Sequence, residues 1–283
     1  MNREENIDYC IDYLLRQERV EATMPPTLEE KQMLLRALMN VWQPQPLAAD
    51  FVAAQDRELQ AQLADKGGAV GDFEFRNLNF ENEHLPLSQK QDLQKSQFTI
   101  HNSRAALWQG DITRLRVDAI VNAANSRMLG CWVPLHKCID NAIHSAAGLQ
   151  LRQECAELMS RQGHDEATGT AKITKGYNLP ARYVVHTVGP IIADGVPTPE
   201  QEAELASCYR SCLDVAAANG CHSIAFCCIS TGEFRFPNRR AAQIAVQTVA
   251  DWQAAHTSEE MDVIFNVFKD IDYEIYHELL GAD

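Results

Sequence analysis

QGDITRLRVDAIVNAANSRMLGCWVPLHKCIDNAIHSAAG, residues 109 to 148, decides how this chain is read. It opens on a Gly-Asp turn, and Val117 to Val121 then reads as a buried strand, because a compact run holding Val, Ala and Ile lies between polar turns. The corner Asn122-Ala-Ala-Asn125 follows at once. Side-chain amides at the end of a strand can grip hydroxyls, since each offers two donors and an acceptor. Next comes Cys131-Trp-Val-Pro-Leu-His136-Lys-Cys138, spaced C-x4-H-x-C. Thiolate and neutral imidazole are the ligands zinc prefers, and three protein ligands with an open position distinguish catalytic from structural zinc. A fourth ligand is missing locally, and the spacing is not that of an established zinc finger. The alternative is two buried free cysteines beside a surface histidine. A helical segment closes the stretch on Ala146-Ala147-Gly148.

Outward from there, the chain divides at both ends. Residues 1–66 read as a helical extension: a first helix over 2–18, a second after the capping box Thr27-Leu-Glu-Glu30, and a third from Ala48 to Ala64, ended by Gly67-Gly68. Residues 67–96 lack periodicity and read as a connecting segment. From residue 97 on, strands alternate with helices. Phe98–His101 and Ala105–Trp108 read as the first strands. Beyond Gly148 a helix continues through Leu158, followed by strands at Ala171–Lys175 and Tyr183–Val188. A helix then starts at the capping box Thr198-Pro-Glu-Gln201, with proline at its first position. Ile224–Ile229 is apolar throughout and reads as a central strand covered on both faces. A loop over residues 230–237, a helix to His256, a strand at Met261–Val267 and a helix at Ile271–Leu280 complete the pattern. Such alternation predicts an α/β fold whose ligands gather at the carboxyl ends of strands.

Composition bounds the function. The chain has 283 residues, 46% of them hydrophobic, enough for one large or two modest cores. Its net charge of −14 argues against nucleic acid or an anionic membrane as partner, and no cationic cluster stands out beyond Arg239-Arg240. Nine cysteines at irregular spacing, the polar start Met1-Asn-Arg-Glu-Glu and the lack of a long apolar run lead to the expectation of a reducing cytoplasm. Cys208, Cys212, Cys227 and Cys228 read as small core residues.

The motifs GDIT, VDAIVNAAN and IDNAIHSAAG resemble, in succession, the signatures of macrodomains, the ADP-ribose-binding fold. The Cys131/His136/Cys138 insertion resembles the zinc-containing microbial branch, whose members remove ADP-ribose from protein side chains. The likeness runs from Phe98 to the C-terminus. It implies a three-layer α/β/α domain with a central mixed sheet over 97–283.

Each site residue has a plain and a functional reading. Asp111 alone would be an N-cap or Asx turn; the resemblance makes it the acceptor of the adenine amino group, with the Ile112 amide facing the ring. Asn125 would form a turn with Ser126, or, by resemblance, hold the distal ribose, with Asn122 as a brace for the loop. Asp140 would be a first-turn carboxylate favoured by the helix dipole. In related hydrolases without the insertion, the matching aspartate is assigned to the water or the distal ribose; here its neighbouring glycines are replaced, so that role falls to Asp140 or to the metal. Ser230-Thr231-Gly232-Glu233-Phe234 resembles the second phosphate loop, and Arg235 stands where the family has another glycine. Phe268 either stacks on adenine or belongs to the core. His144 and His186 read as satisfied core histidines.

Taken together, the sequence predicts zinc-dependent hydrolysis of mono-ADP-ribose, with one Zn2+ per chain on Cys131, His136 and Cys138. Asn125 and Asp140 are the catalytic candidates. The resemblance further implies a sirtuin-type transferase as the opposing activity and a lipoyl-carrier protein, related to the glycine-cleavage H protein, modified at aspartate or glutamate. Two rivals stay open: a non-catalytic ADP-ribose reader with a structural zinc, and an interaction protein that works through the N-terminal helices.

Overall fold

The structure, a computed structural model, describes residues 2–73, 76–77, 104–257 and 260–281. The expected strand at 98–101, most of the connecting segment and the boundary at residue 97 lie outside the described residues.

Three helices open the chain: α1 (Arg3–Glu18), α2 (Leu28–Val41) and α3 (Ala49–Asp65). Asn2 with Glu5 and Thr27 with Glu30 form reciprocal capping boxes that satisfy the first free amides of α1 and α2. Their apolar faces meet in a core of their own around Ile7, Leu14, Leu35, Trp42 and Phe51, into which Leu149 of the following unit inserts. Gln55 accepts from the Leu149 amide at 2.9 Å, and Gln60 donates to the Asn178 carbonyl at 2.8 Å.

The second unit is a mixed sheet in the order β1-β2-β7-β6-β3-β5-β4. Its strands are β1 (Arg76–Asn77), β2 (Arg104–Gln109), β3 (Ala119–Ala123), β4 (Ala171–Lys175), β5 (Tyr183–Thr187), β6 (Ser223–Phe226) and β7 (Asp262–Val267). The edges β1 and β4 run antiparallel to β2 and β5, and every other pairing is parallel. Helices α4 (Ile139–Ala147), α5 (Leu149–Gln162), α6 (Pro199–Ala218), α7 (Asn238–Ala255) and α8 (Asp270–Leu279) pack around it over one continuous core. This is the three-layer α/β/α arrangement with a helical extension that the sequence predicts.

Three boundaries differ from the sequence reading. β3 begins at Ala119 and runs on through Asn122 to Ala123, because its register on β5 pairs Ala119 with Tyr183 and Ala123 with Thr187. Tertiary pairing thus carries a buried polar residue into the ladder that apolar patterning leaves out. β6 stops at Phe226, and residues 227–229 leave the ladder toward the loop that follows. The helix after Asp140 is two helices, broken at Gly148 with φ of 95°. That φ favours glycine, and a Cβ there would lie 2.7 Å from the Gln55 and Gln150 side-chain amides, which would have to shift.

Candidate active site

The GDIT turn, the loop after β6, the Asn-Ala-Ala-Asn corner and Phe268 follow β2, β6, β3 and β7, which are neighbours in the sheet and all parallel. Four strands at about 4.8 Å spacing put these loops along a line of roughly 14 Å at the carboxyl edge.

At one end, Gly110 donates to the Val267 carbonyl at 2.9 Å and Gln109 reaches the Phe268 carbonyl at 3.4 Å, so Asp111 and Phe268 stand on adjacent strand ends. Asp111 does cap a short 3-10 turn over Ile112–Arg114: its Oδ1 accepts from the Thr113 amide and hydroxyl at 3.0 and 2.6 Å. Its Oδ2 accepts from Lys66, beyond the end of α3, at 2.8 Å. Burial raises its pKa, but Lys66 and Thr113 outweigh that and hold the carboxyl below its ordinary value. Lys66 carried no signal in the sequence, being a lone cation 45 positions away. Phe268 is 76% exposed, which excludes the core reading and leaves its ring face open.

The middle loop is held in left-handed backbone at two non-glycine positions, Ser230 (φ 64°) and Arg235 (φ 59°). Such conformations cost about 1–3 kcal/mol each and collect at ligand-binding loops. The angle at Arg235 accounts for the glycine found there in the family pattern, and its side chain is exposed. Ser230 is buried with no hydrogen-bond partner for Oγ, and a Cβ at Gly232 would meet nothing within 4 Å. Glu233 and Phe234 are part of the same turn, tied down where the Phe234 carbonyl accepts from Ile192 at 2.8 Å. Thr231 bonds back to the Cys228 carbonyl through its hydroxyl at 3.0 Å.

At the far end lies a buried polar network. Asn122 donates to Asp140 Oδ1 at 2.8 Å and contacts His186 Nδ1 at 3.1 Å, so its role as a brace is physical. Asn125 donates to Asp140 Oδ2 at 3.3 Å and to the Gly130 carbonyl at 3.2 Å, while its Oδ1 accepts from the Arg127 amide. The turn reading of Asn125 therefore holds, and the same side chain is joined to Asp140. Burial pushes Asp140 up to about 6, against the amides of Asn122 and Asn125 and the charge of Arg152. Burial also pushes His186 down to about 3 and His144 well below its ordinary value. His186 is satisfied, by Asn122 and by Thr174 Oγ1 at 2.9 Å. His144 is buried as expected but not satisfied: neither ring nitrogen has a hydrogen-bond partner, and the nearest carboxylate is Asp140 at 3.6 Å.

The Cys/His segment adjoins this network. Cys138 is the N-cap of α4, and its Sγ accepts from the Asn141 amide at 3.4 Å. Cys131 Sγ lies 3.6 Å from His136 Nδ1, and one ligand atom from each of Cys131, His136 and Cys138 falls within 4.8 Å of the others. Zinc–sulfur and zinc–nitrogen bonds of ordinary length in a tetrahedron place those atoms about 3.6 Å apart, so the donor set fits the ion in kind and spacing. Burial and the neighbouring Cys131 push the Cys138 thiol up to about 12 against the pull of the Asn141 amide, so without a cation it stays protonated and neutral. A bound divalent ion reverses that order and deprotonates the thiol. His136 Nε2 also lies 3.7 Å from Glu233, which joins this segment to the middle loop. His144, Cys155 and His186 form a second convergent set, but both nitrogens of His186 are already engaged, so it does not offer a free ligand face.

A residue the sequence reading missed completes the site. Arg152 is 2% exposed, donates to the Met39, Asn40 and Trp42 carbonyls and to the Cys131 carbonyl at 3.4 Å, and lies over the Trp132 ring at 4.3 Å. Its only sequence signal is a cation among apolar positions, between Leu151 and Cys155.

Residues 121–245 match the family model described as the Macro domain. A protein of Treponema medium named protein-ADP-ribose hydrolase is 47% identical over 283 residues, 99% of this chain and 100% of its own. A solved macrodomain of Oceanobacillus iheyensis with ADP is similar at a TM-score of 0.58 and 37% identity, over 65% of this chain and 93% of that one. A macrodomain of Trypanosoma brucei, solved in complex with ADP-ribose, is similar at a TM-score of 0.58 and 29% identity; that match covers 92% of this chain and 97% of that one. The Treponema and Trypanosoma matches therefore extend into the helical extension, and the shorter one does not have the length to do so.

Proposed function

Because the chain belongs to the macrodomain family of protein-ADP-ribose hydrolases, we propose that it releases single ADP-ribose units from carboxylate side chains at a zinc site formed by Cys131, His136 and Cys138. It is a hydrolase that removes ADP-ribose from modified proteins. What carries the finer reading is one juxtaposition: the Cys/His triad abuts the Asn125–Asp140 network through Gly130 and the start of α4, at the end of the strand series opposite Asp111 and Phe268.

In this reading Asp111 accepts the adenine amino group beside Lys66, the Ile112 amide faces the ring and Phe268 stacks on it. The amides of Ser230 to Phe234 and the start of α7 neutralise the diphosphate. Asn125 orients the distal ribose, Asp140 fixes the Asn125 amide and accepts from the ribose, and Asn122 keeps Asp140 in place. A zinc ion on the triad, when bound, lowers the pKa of water to about 7 or orients the ribose. An ester to aspartate or glutamate suits the site, because a carboxylate leaves with little protonation. The substrate is then a mono-ADP-ribosylated protein, with a lipoyl-carrier protein of the H type and a sirtuin-type transferase as the partner system.

The test is mass spectrometry of an ester-linked, mono-ADP-ribosylated carrier protein, with metal content measured alongside. Purified protein should carry about one zinc per chain. Chelation, or Cys138→Ser, should stop release while leaving ADP-ribose binding in place, and added zinc should restore the chelated wild type. Release untouched by stripping the metal would return the chemistry to Asn125 and Asp140 alone. Binding without any turnover, metal present, would make the protein a reader.

A further inference from the structure

The backbone that carries Cys131 and His136 does not hold itself. Between these residues one internal backbone bond forms, His136 N to the Val133 carbonyl at 3.2 Å, and Leu135 sits at a φ of 59°. The rest of its hydrogen bonding comes from outside the loop, and much of it from the helical extension. Arg36 of α2 donates through Nη2 to the His136 carbonyl at 3.3 Å. The same guanidinium grips Asn141 Oδ1 through Nε and Nη2 at 3.2 and 2.7 Å. Asn141 in turn donates to the Val133 carbonyl at 3.0 Å, and its amide bonds the Cys138 thiol. One turn further along α2, Asn40 accepts from the Leu135 amide at 3.0 Å and donates to Ser145 at 3.0 Å. Asn40 is 2% exposed, and losing it would leave the half-buried Leu135 amide without this partner.

These bonds have one address. Arg36 and Asn40 stand four positions apart, on one face of α2, and both reach the residues that carry or flank the ligand atoms. The tie from Gln60 to the Asn178 carbonyl touches no part of that loop. Groups that orient metal ligands from outside commonly change affinity by about 10- to 100-fold when removed.

We infer that Arg36 and Asn40 are positioning residues for the metal-binding loop, so that α2 of the extension is part of the site rather than an appendage to it. This rests on the zinc reading above, and deepens it: the three ligand atoms converge because a helix that precedes them by about a hundred residues holds the backbone between them.

The experiment uses the full chain, stripped of metal and titrated with zinc against a competing chromophoric chelator, with cobalt–thiolate absorption as a second readout. Arg36→Ala and Asn40→Ala should each weaken zinc binding by about ten-fold or more and dim the cobalt–thiolate band. Arg36→Lys, which keeps one donor, should recover part of the loss. Gln60→Ala, which cuts a tie elsewhere, should bind zinc as the wild type does. Should either alanine variant fail to fold by circular dichroism, Arg36→Lys and Asn40→Ser carry the comparison. Wild-type affinity in the Arg36 and Asn40 variants, with zinc bound by the wild type, overturns the positioning role and leaves the zinc site standing. An equal loss in Gln60→Ala overturns it too, as general loosening. A wild type that binds no zinc removes the metal reading and this inference together.

Discussion

Asp111 shows how a residue can have two legible roles and one illegible one. Its cap of the 3-10 turn is written in the spacing Asp111-Ile-Thr113, and the adenine contact proposed for it rests on the resemblance of its GDIT motif. The Lys66 pair could not be read, because it joins residues 45 apart through the docking of α3. That pair also sets what the site should lose on mutation. Asp111→Ala removes one charged acceptor, and ADP-ribose affinity should fall by roughly 1–3 kcal/mol by calorimetry. The metal content should stay as it is, since Asp111 and the triad lie at opposite ends of the strand series. Equal affinity for the variant would mean that adenine lies elsewhere. The histidines carry a second prediction at this scale. His186 is pushed down to about 3 and His144 well down, both by burial, whereas an unfolded chain protonates histidine near 6.5. With folded values depressed, the stability they support is complete above pH 6.5 and is lost as pH falls from there toward 3. His186 contributes a slope of about 1.4 kcal/mol per pH unit inside that window, His144 acts in the same direction, and Asp140, raised to about 6, acts in the opposite direction between its unfolded value near 3.9 and about 6. Urea unfolding at several pH values should show His186→Gln with a flatter slope than the wild type. A parallel pair of slopes would mean that the native state protonates His186.

The elements divide by where their instructions lie. Capping boxes at Thr27 and Thr198 fix two helix starts in four residues each, and both form as read. The ends of β3 and β6 depend on partners distant in sequence, so apolar runs alone misplace them by a few residues. Arg36, Asn40 and Arg152 were not legible as site residues for the same reason: each acts more than a hundred positions from part of what it holds, or from the loop it steadies. The helical extension makes this concrete. It has a core of its own, but α2 ends without a basic residue in its last turn, and the carbonyls of Met39, Asn40 and Trp42 are taken by Arg152 of α5. Leu149 fills the same core from the same side. A unit of this size is marginal by itself and here lends its last turn and part of its core to a neighbour. Residues 1–66 expressed alone should therefore give weak helical circular dichroism and no cooperative thermal transition. A sharp transition in that fragment would show that the extension folds without the sheet unit.

At the scale of the molecule, charge decides which polymer can approach. The net charge is −14, and three arginines pair with carboxylates: Arg182 with Asp118 at 2.8 Å, Arg239 with Glu278 at 2.6 Å and the half-buried Arg240 with Glu202 at 2.6 Å. Among the described residues no helix is long and apolar enough to cross a membrane. In the proposed site a single ADP-ribose needs only the short series of strand ends from β2 to β3. A poly-ADP-ribose chain carries charge along its whole length and would have to lie across the surface of a chain whose net charge is −14. The protein should therefore release single units from a mono-modified protein and act on polymer at least about ten-fold more slowly, the low end of electrostatic effects on encounter rates. The direction of the salt effect separates this from a pocket that merely excludes the polymer. Added salt screens repulsion, so it should raise the rate on polymer more than the rate on the mono-modified protein. Chromatography of released ADP-ribose from both substrates across a salt series gives the answer. A polymer rate that matches the single-unit rate, or a gap that salt leaves unchanged, would place the discrimination in the shape of the site rather than in the charge around it.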